Sequence, residues 1–173
     1  KIICVQRIFT EYRKPIFDRL SEKYDIKVLH SENSSGINQI NTRYSSLIKK
    51  VQFTDNPTNV FLFTLKCIAK IKPKVIIHEN SIGIASLPFL ILYCRIKGIK
   101  IILWGHGYNR FSGFNPQKSI LDKVRLLYMK FSSANLFYGQ EGRNKMKNFI
   151  DKDKLFVAQN TLDTDYLLKI KEK

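Results

Sequence analysis

Short runs rich in β-branched residues alternate with helical segments along this chain, and that alternation restricts the fold more than any other feature. Residues 1–8 (KIICVQRI), 25–30 (DIKVLH), 74–78 (KVIIH) and 100–104 (KIILW) have the length and composition of strands buried on both faces. Residues 47–53 predict a further strand, and residues 135–138 and 155–158 two shorter ones. Between them, residues 13–24 place Ile16, Phe17 and Leu20 at helical spacing, with Pro15 near the helix start where a missing N–H does no harm. Residues 57–71 and 81–97 predict helices, the second ended by Gly98 as a left-handed cap. Residues 118–131 put Ile120, Leu121, Val124, Leu127, Tyr128 and Phe131 on one helical face, the pattern of a core-facing stripe, and residues 141–149 form a basic helix. Such a sequence predicts a doubly wound α/β domain with a mostly parallel sheet. At 173 residues the chain fits one domain with a sizeable core. Ligands of such sheets sit outside the carboxyl ends of the strands, so the chemistry is expected in residues 9–12, 79–81, 105–116, 139–140 and 159–165.

Thirty Lys and Arg against fourteen Asp and Glu give a formal charge of +16. Charge of this size repels itself within a small domain, which points to a polyanionic partner: nucleic acid, an anionic membrane face, or phosphorylated substrates. Cys4, Cys67 and Cys94 stand in separate apolar segments without CxxC or histidine spacing, so buried thiols in a reducing cytosol are expected, with no disulfide framework and no metal site. The longest uncharged run, residues 80–94, falls short of the ~18–20 residues of a spanning helix and is expected to be a buried helix.

The loop after the first strand, RIFTEYRKP, contains no glycine, so neither a GxGxxG fingerprint nor a P-loop can be placed. GxSxG and HExxH are missing as well. The sharpest local feature is Trp104-Gly105-His106-Gly107 at the end of the fifth strand run. Glycines on both sides let the backbone turn tightly and leave the His106 imidazole at the edge where ligands bind; the competing reading is a histidine that satisfies loop carbonyls. Glu11, Tyr12 and Arg13 could bind an acceptor or phosphate, or could open a helix whose dipole favours Glu11. Glu79 and Asn80 fit either a ligand contact or, with Ser81, a helix cap. Gly139 and Gln140 could touch a ligand or only begin a helix. Tyr108, Arg110, Phe111 and Phe114 set aromatics beside a cation, a mix that suits a membrane interface, a sugar-stacking site, or a loop folded on its own domain.

Taken in order, these segments resemble the bacterial retaining glycosyltransferases of family four. The opening IICVQRIFTEYRKPIFDRLSEKYDIKVL is similar to that family's first strand and helix. PKVIIHE followed by an apolar helix, then GIKI and WGHG, is similar to its central stretch. ANLF at 134–137 and NTLDTD at 160–165 are similar to its "ADLF" and "NGVDTD" segments, with Thr161 standing where the family has glycine. The resemblance implies a Rossmann-like fold, the N-terminal, acceptor-side half of a two-domain GT-B enzyme, spanning residues 1–173. A C-terminal domain, absent from this chain, would hold the nucleotide-sugar donor. It implies transfer of a sugar to a glycan or lipid-linked acceptor, with no cofactor and no metal. The protein would be cytoplasmic and peripheral on the inner face of the plasma membrane. By the same matching, His106 lies near the transferred sugar as the catalytic residue. Glu11, Tyr12 and Arg13 fall at the interdomain cleft by that matching; with Glu79, Asn80, Gly105, Gly107, Tyr108, Gln140 and Asn160 they are the substrate-binding candidates, and the residue mix makes Arg110, Phe111 and Phe114 candidates for membrane or acceptor contact. The rival from another class is a non-catalytic basic α/β module binding nucleic acid. Against it, no RRM, KH or helix-turn-helix pattern is present and the basic residues are scattered over several helices, so no nucleic acid is expected.

Overall fold

The computed structural model describes residues 1–31, 39–52, 60–62 and 65–159. In chain order the elements are β1 (Ile2–Gln6), α1 (Lys14–Lys23), β2 (Ile26–His30), β3 (Ser45–Leu47), β4 (Lys50–Gln52), β5 (Val60–Leu62) and α2 (Leu65–Ile71). There follow β6 (Val75–Glu79), α3 (Leu87–Lys97), β7 (Lys100–Gly105), α4 (Ile120–Phe131), β8 (Ala134–Phe137), α5 (Gln140–Met146) and β9 (Leu155–Val157). A seven-stranded sheet runs β3-β2-β1-β6-β7-β8-β9, and every pair in it is parallel. The fold is therefore the doubly wound, Rossmann-like α/β class expected. Strand order reverses between β1 and β6, which makes the gap beyond their carboxyl ends the topological switch point, the natural ligand crevice.

Period-two alternation divides the strands between two cores. Ile3 and Val5 of β1, Ile76 of β6 and Ile101 and Leu103 of β7 meet Ile68 of α2, Leu87, Leu90 and Cys94 of α3, and Met129 and Met146 beyond them. On the opposite face Cys4, Val28 and Trp104 meet Phe17 of α1 together with Phe9 and Tyr44. Phe9 and Phe17 stack edge to face at 5.3 Å. A fully buried side chain of this size contributes about 1.5–3 kcal/mol, so truncating Phe17 would weaken the only helix described on that face. Gly98 caps α3 at φ 67°, as its position predicts.

Several boundaries differ from the sequence reading. The strand expected at 47–53 is two strands. Residues 45–47 join the main sheet, whereas Lys50–Gln52 pairs antiparallel with Val60–Leu62 in a separate hairpin. KKVQ carries one apolar residue and has no face to bury in a parallel sheet. The helix expected at 57–71 is confined to Leu65–Ile71, because the β-branched and aromatic run at 60–62 is a strand. The helix expected from 81 begins at Leu87, since Pro88 can only occupy its first turn. Ser81 and Ile84 form tight turns before it, so residues 79–81 do not cap this helix; Ser86 occupies the cap position. Nor is α3 wholly buried: Phe89, Leu92 and Ile96 are exposed.

The largest correction concerns α4. Tyr128 of the expected stripe packs on the core, as does Leu126, but the fully buried residues are Asp122, Arg125 and Met129, and Ile120, Leu121, Leu127 and Phe131 face outward. The polar side turns inward because Asp122 has work there. Its carboxylate accepts from Asn115 N–H at 2.9 Å and pairs with Arg125, tying α4 to the loop that follows β7.

Candidate functional site

At the switch point β1 runs into Arg7 and β6 ends on Glu79. The Arg7 side chain donates through Nε to Glu79 Oε1 at 2.9 Å and through its terminal nitrogen to the same oxygen, and Arg7 N–H reaches Oε2 at 3.3 Å. One carboxylate thus takes three donors from a single residue at the switch point. Burial pushes the Glu79 carboxyl upward, but the hydrogen bond and charge of Arg7 outweigh it and hold the group below the usual carboxylate range. The crevice behind is lined by Gln6, Arg13, His78, Trp104 and Tyr138 as well. Gln6 Oε1, His78 Nε2 and Asn80 Oδ1 are buried there or beside it without hydrogen-bond partners among the described residues.

Arg13, on the short 3-10 turn that precedes α1, reaches over the sheet edge. Its guanidinium lies 5.1 Å from the centroid of Trp104, 5.5 Å from that of Tyr12 and 5.9 Å from that of Tyr138. It donates to Tyr138 Oη at 3.0 Å and to Tyr12 Oη at 3.1 Å. The Tyr138 phenol is raised, by burial above all and against the pull of Arg13, so it stays protonated and keeps an O–H to give. His106 meets the same Tyr138 ring edge to face at 4.8 Å, with Tyr108 at 6.3 Å. Tyr108 in turn lies under Lys145, its ring centroid 5.1 Å from Nζ. Arg13, Tyr138 and His106 therefore form one continuous strip along the ends of β1, β7 and β8.

Other expected site residues are more dispersed. Gly105 sits tight against Asn80, whose N–H extends the ladder to Trp104 O at 2.9 Å. Gly107 adopts φ 79°, and a Cβ there would meet the Phe137 ring at 2.5 Å, so this glycine is required by the domain's own core. Glu11 is exposed at the start of the 3-10 turn, and Gln140 is the exposed first residue of α5, with Gly139 as its cap. Arg110, Phe111 and Phe114 part company. Asn109 Oδ1 accepts from Phe111 N–H at 2.9 Å and sets Phe111 at a fully exposed tip beside exposed Arg110, whereas Phe114 turns back onto Phe149 at 5.4 Å. Asn160 lies outside the described residues. Sequence reasoning missed Arg7 and Tyr138; the signal for Arg7 was a cation in the glycine-free first loop, one residue past the strand. Among the described residues no cluster of three His, Cys, Asp or Glu could hold a metal ion, and no helix is long and apolar enough to cross a membrane.

All three histidines titrate below the usual imidazole range, and burial is the leading cause each time. For His78 burial overrides the Glu79 carbonyl that Nδ1 meets at 2.8 Å; for His106 the nearby Arg110 adds to burial and outweighs Glu141. His106 is thus neutral at physiological pH. Because folding lowers these values, the unfolded chain protonates first. The stability is complete above about pH 6.5, the unfolded value, and declines as pH falls toward the folded ones. The melting temperature is expected to drop between pH 7 and pH 5, and His78→Gln to flatten part of that slope. Calorimetry across the range checks this, and a pH-independent melting temperature contradicts it.

The fold and this edge together define a Rossmann-like domain with a polar, aromatic-walled crevice at its switch point. The sequence matches no protein-family model and no curated protein. Among solved structures it is similar to UDP-GlcNAc 2-epimerase from Neisseria meningitidis, determined bound to UDP-GlcNAc, with a TM-score of 0.58 and 14% identity over 99% of this chain and 50% of that one. The Bordetella bronchiseptica enzyme WbmH, determined with NAD+, aligns over 79% of this chain and 54% of that one at 12% identity and a TM-score of 0.46. At such identities the first likeness is one of fold, and the chain spans about half the length of the structures it matches.

Proposed function

We propose that this domain is the acceptor-side half of a retaining glycosyltransferase that moves a hexose-type sugar from a nucleotide-sugar donor to a glycan or lipid-linked acceptor, in building a surface polysaccharide. The observation that carries the reading is His106: a neutral imidazole seated on Tyr138 at the carboxyl end of β7, on the edge where doubly wound sheets bind ligands. A neutral ring there can hydrogen-bond the donor sugar without adding positive charge beside an oxocarbenium-like transition state. Arg13 and Tyr138 would orient the acceptor or donor hydroxyls. We assign no protein nucleophile.

The donor's diphosphate would sit in a second domain, a reading that two features of this one support. The first loop has no glycine to let backbone N–H groups approach a phosphate, and Arg7 is already neutralised by Glu79. Coverage of half of a UDP-GlcNAc-bound neighbour fits a partner domain of similar size. The net +16 fits a peripheral location on the inner face of the plasma membrane. The test is calorimetry of the 173-residue chain against UDP- and GDP-sugars. Dissociation constants weaker than about 1 mM, no better than ~4 kcal/mol of binding, are expected. Micromolar binding to this chain would overturn the two-domain reading.

A further inference from the structure

We propose that the outward faces of α3 and α4 form one surface that docks on an anionic lipid bilayer; the proposal rests on the peripheral location above and names the surface responsible. Phe89, Leu92 and Ile96 recur at i, i+3 and i+7 on the side of α3 opposite its buried Leu87, Leu90 and Cys94, and Ile96 is 72% exposed. On α4, Ile120, Leu127 and Phe131 lie within ~40° of one another on a 3.6-residue helix, opposite buried Asp122, Arg125 and Met129. Ile120 is 75% exposed. The two stripes adjoin, since α3 and α4 pack together and the Arg95 guanidinium lies 4.9 Å over the Phe131 ring. Scattered exposed apolar residues need no explanation, but two adjacent helices that both turn their large apolar side chains outward mark an interaction surface.

Charge selects the occupant. Exposed Arg95, Lys97, Lys123 and Lys130 edge the stripes, and the one acidic residue in either helix, Asp122, is buried against Arg125. Two copies meeting here would bring cations against cations. An anionic bilayer complements the rim, while the apolar stripes enter the acyl boundary and long basic side chains reach back to the headgroups.

Sedimentation of the chain with vesicles of phosphatidylglycerol and phosphatidylcholine, against phosphatidylcholine alone, tests this. Binding to the anionic vesicles only, weakening with salt, is expected. Leu92→Gln with Leu127→Gln should lower the partition coefficient at least ~10-fold at unchanged charge, since each change removes a buriable apolar side chain. Lys123→Glu with Lys130→Glu should lower it at low salt. All four side chains point away from the core, so melting temperatures should stay near wild type; a large fall in either would mean the helix faces are structural and would overturn the proposal. Phe111→Ser, at the exposed loop tip, should lower the partition coefficient less than either pair of helix changes. If the helix variants bind fully and Phe111→Ser does not, the location stands and this surface is wrong. Binding to neither vesicle removes both. A wild-type dimer in sedimentation velocity that the leucine variant dissociates would assign the face to a second copy instead.

Discussion

In the proposed glycosyltransferase, replacing His106 by alanine is expected to lower kcat about 100-fold or more, on the order of 2.7 kcal/mol, the cost of one preorganised polar contact to a developing charge. Such a contact is stronger in the transition state than in the ground state, so kcat should fall further than KM rises. The ring meets Tyr138 and Tyr108 in edge-to-face contacts and is partly exposed, so stability should change by less than about 1 kcal/mol. His106→Asn keeps a donor and some reach and should retain more activity than alanine. Initial rates against donor concentration, with melting curves in parallel, decide the matter. Near-normal turnover with a large fall in melting temperature would make His106 a structural loop residue.

The second large effect is on folding. Glu79→Gln removes the carboxylate that takes three donors from Arg7 and leaves the guanidinium half-buried without its partner. A buried pair broken this way costs ~3–5 kcal/mol and an exposed one under about 1, so a half-buried pair should cost about 2–3 kcal/mol. The pH dependence has a definite sign. Arg7 holds the folded carboxyl below its ordinary value, so the contribution is fully present above about pH 4.3, the unfolded value, and is lost as pH falls through the folded one. Urea melts of wild type and Glu79→Gln should differ at pH 7 and converge in acid. Equal stability at pH 7 would show that the pair contributes nothing to the fold.

Strands β1, β2, β6 and β7 were legible because each is a short, mainly apolar run of strand length, whereas β3, Ser45–Leu47, has no such run and the sequence reading set its strand at 47–53. What escaped depended on tertiary context. The apolar stripe of α4 looks core-facing by period alone, yet Asp122 finds Asn115 and Arg125 inside, and no helical wheel contains that information. Pro88 within a long apolar run fixed where α3 starts, a signal that was present and went unused. WGHG marked the end of β7, while the residues beside it arrive from far along the chain: Arg13 and Tyr138 are 125 residues apart and meet at 3.0 Å. The Arg7–Glu79 pair, 72 residues apart, was equally invisible until β1 and β6 were placed side by side.

The central claim is sugar transfer with retention at this edge, and its most direct test is proton NMR of the products. The protein together with its proposed second domain would be given α-linked UDP- and GDP-sugars, with and without a membrane extract that supplies glycan and lipid-linked acceptors. Release of the nucleoside diphosphate that depends on acceptor, with the sugar appearing in a new α-glycosidic linkage, is the result this account predicts. A donor converted to its epimer without acceptor, or a β-linked product, would contradict it.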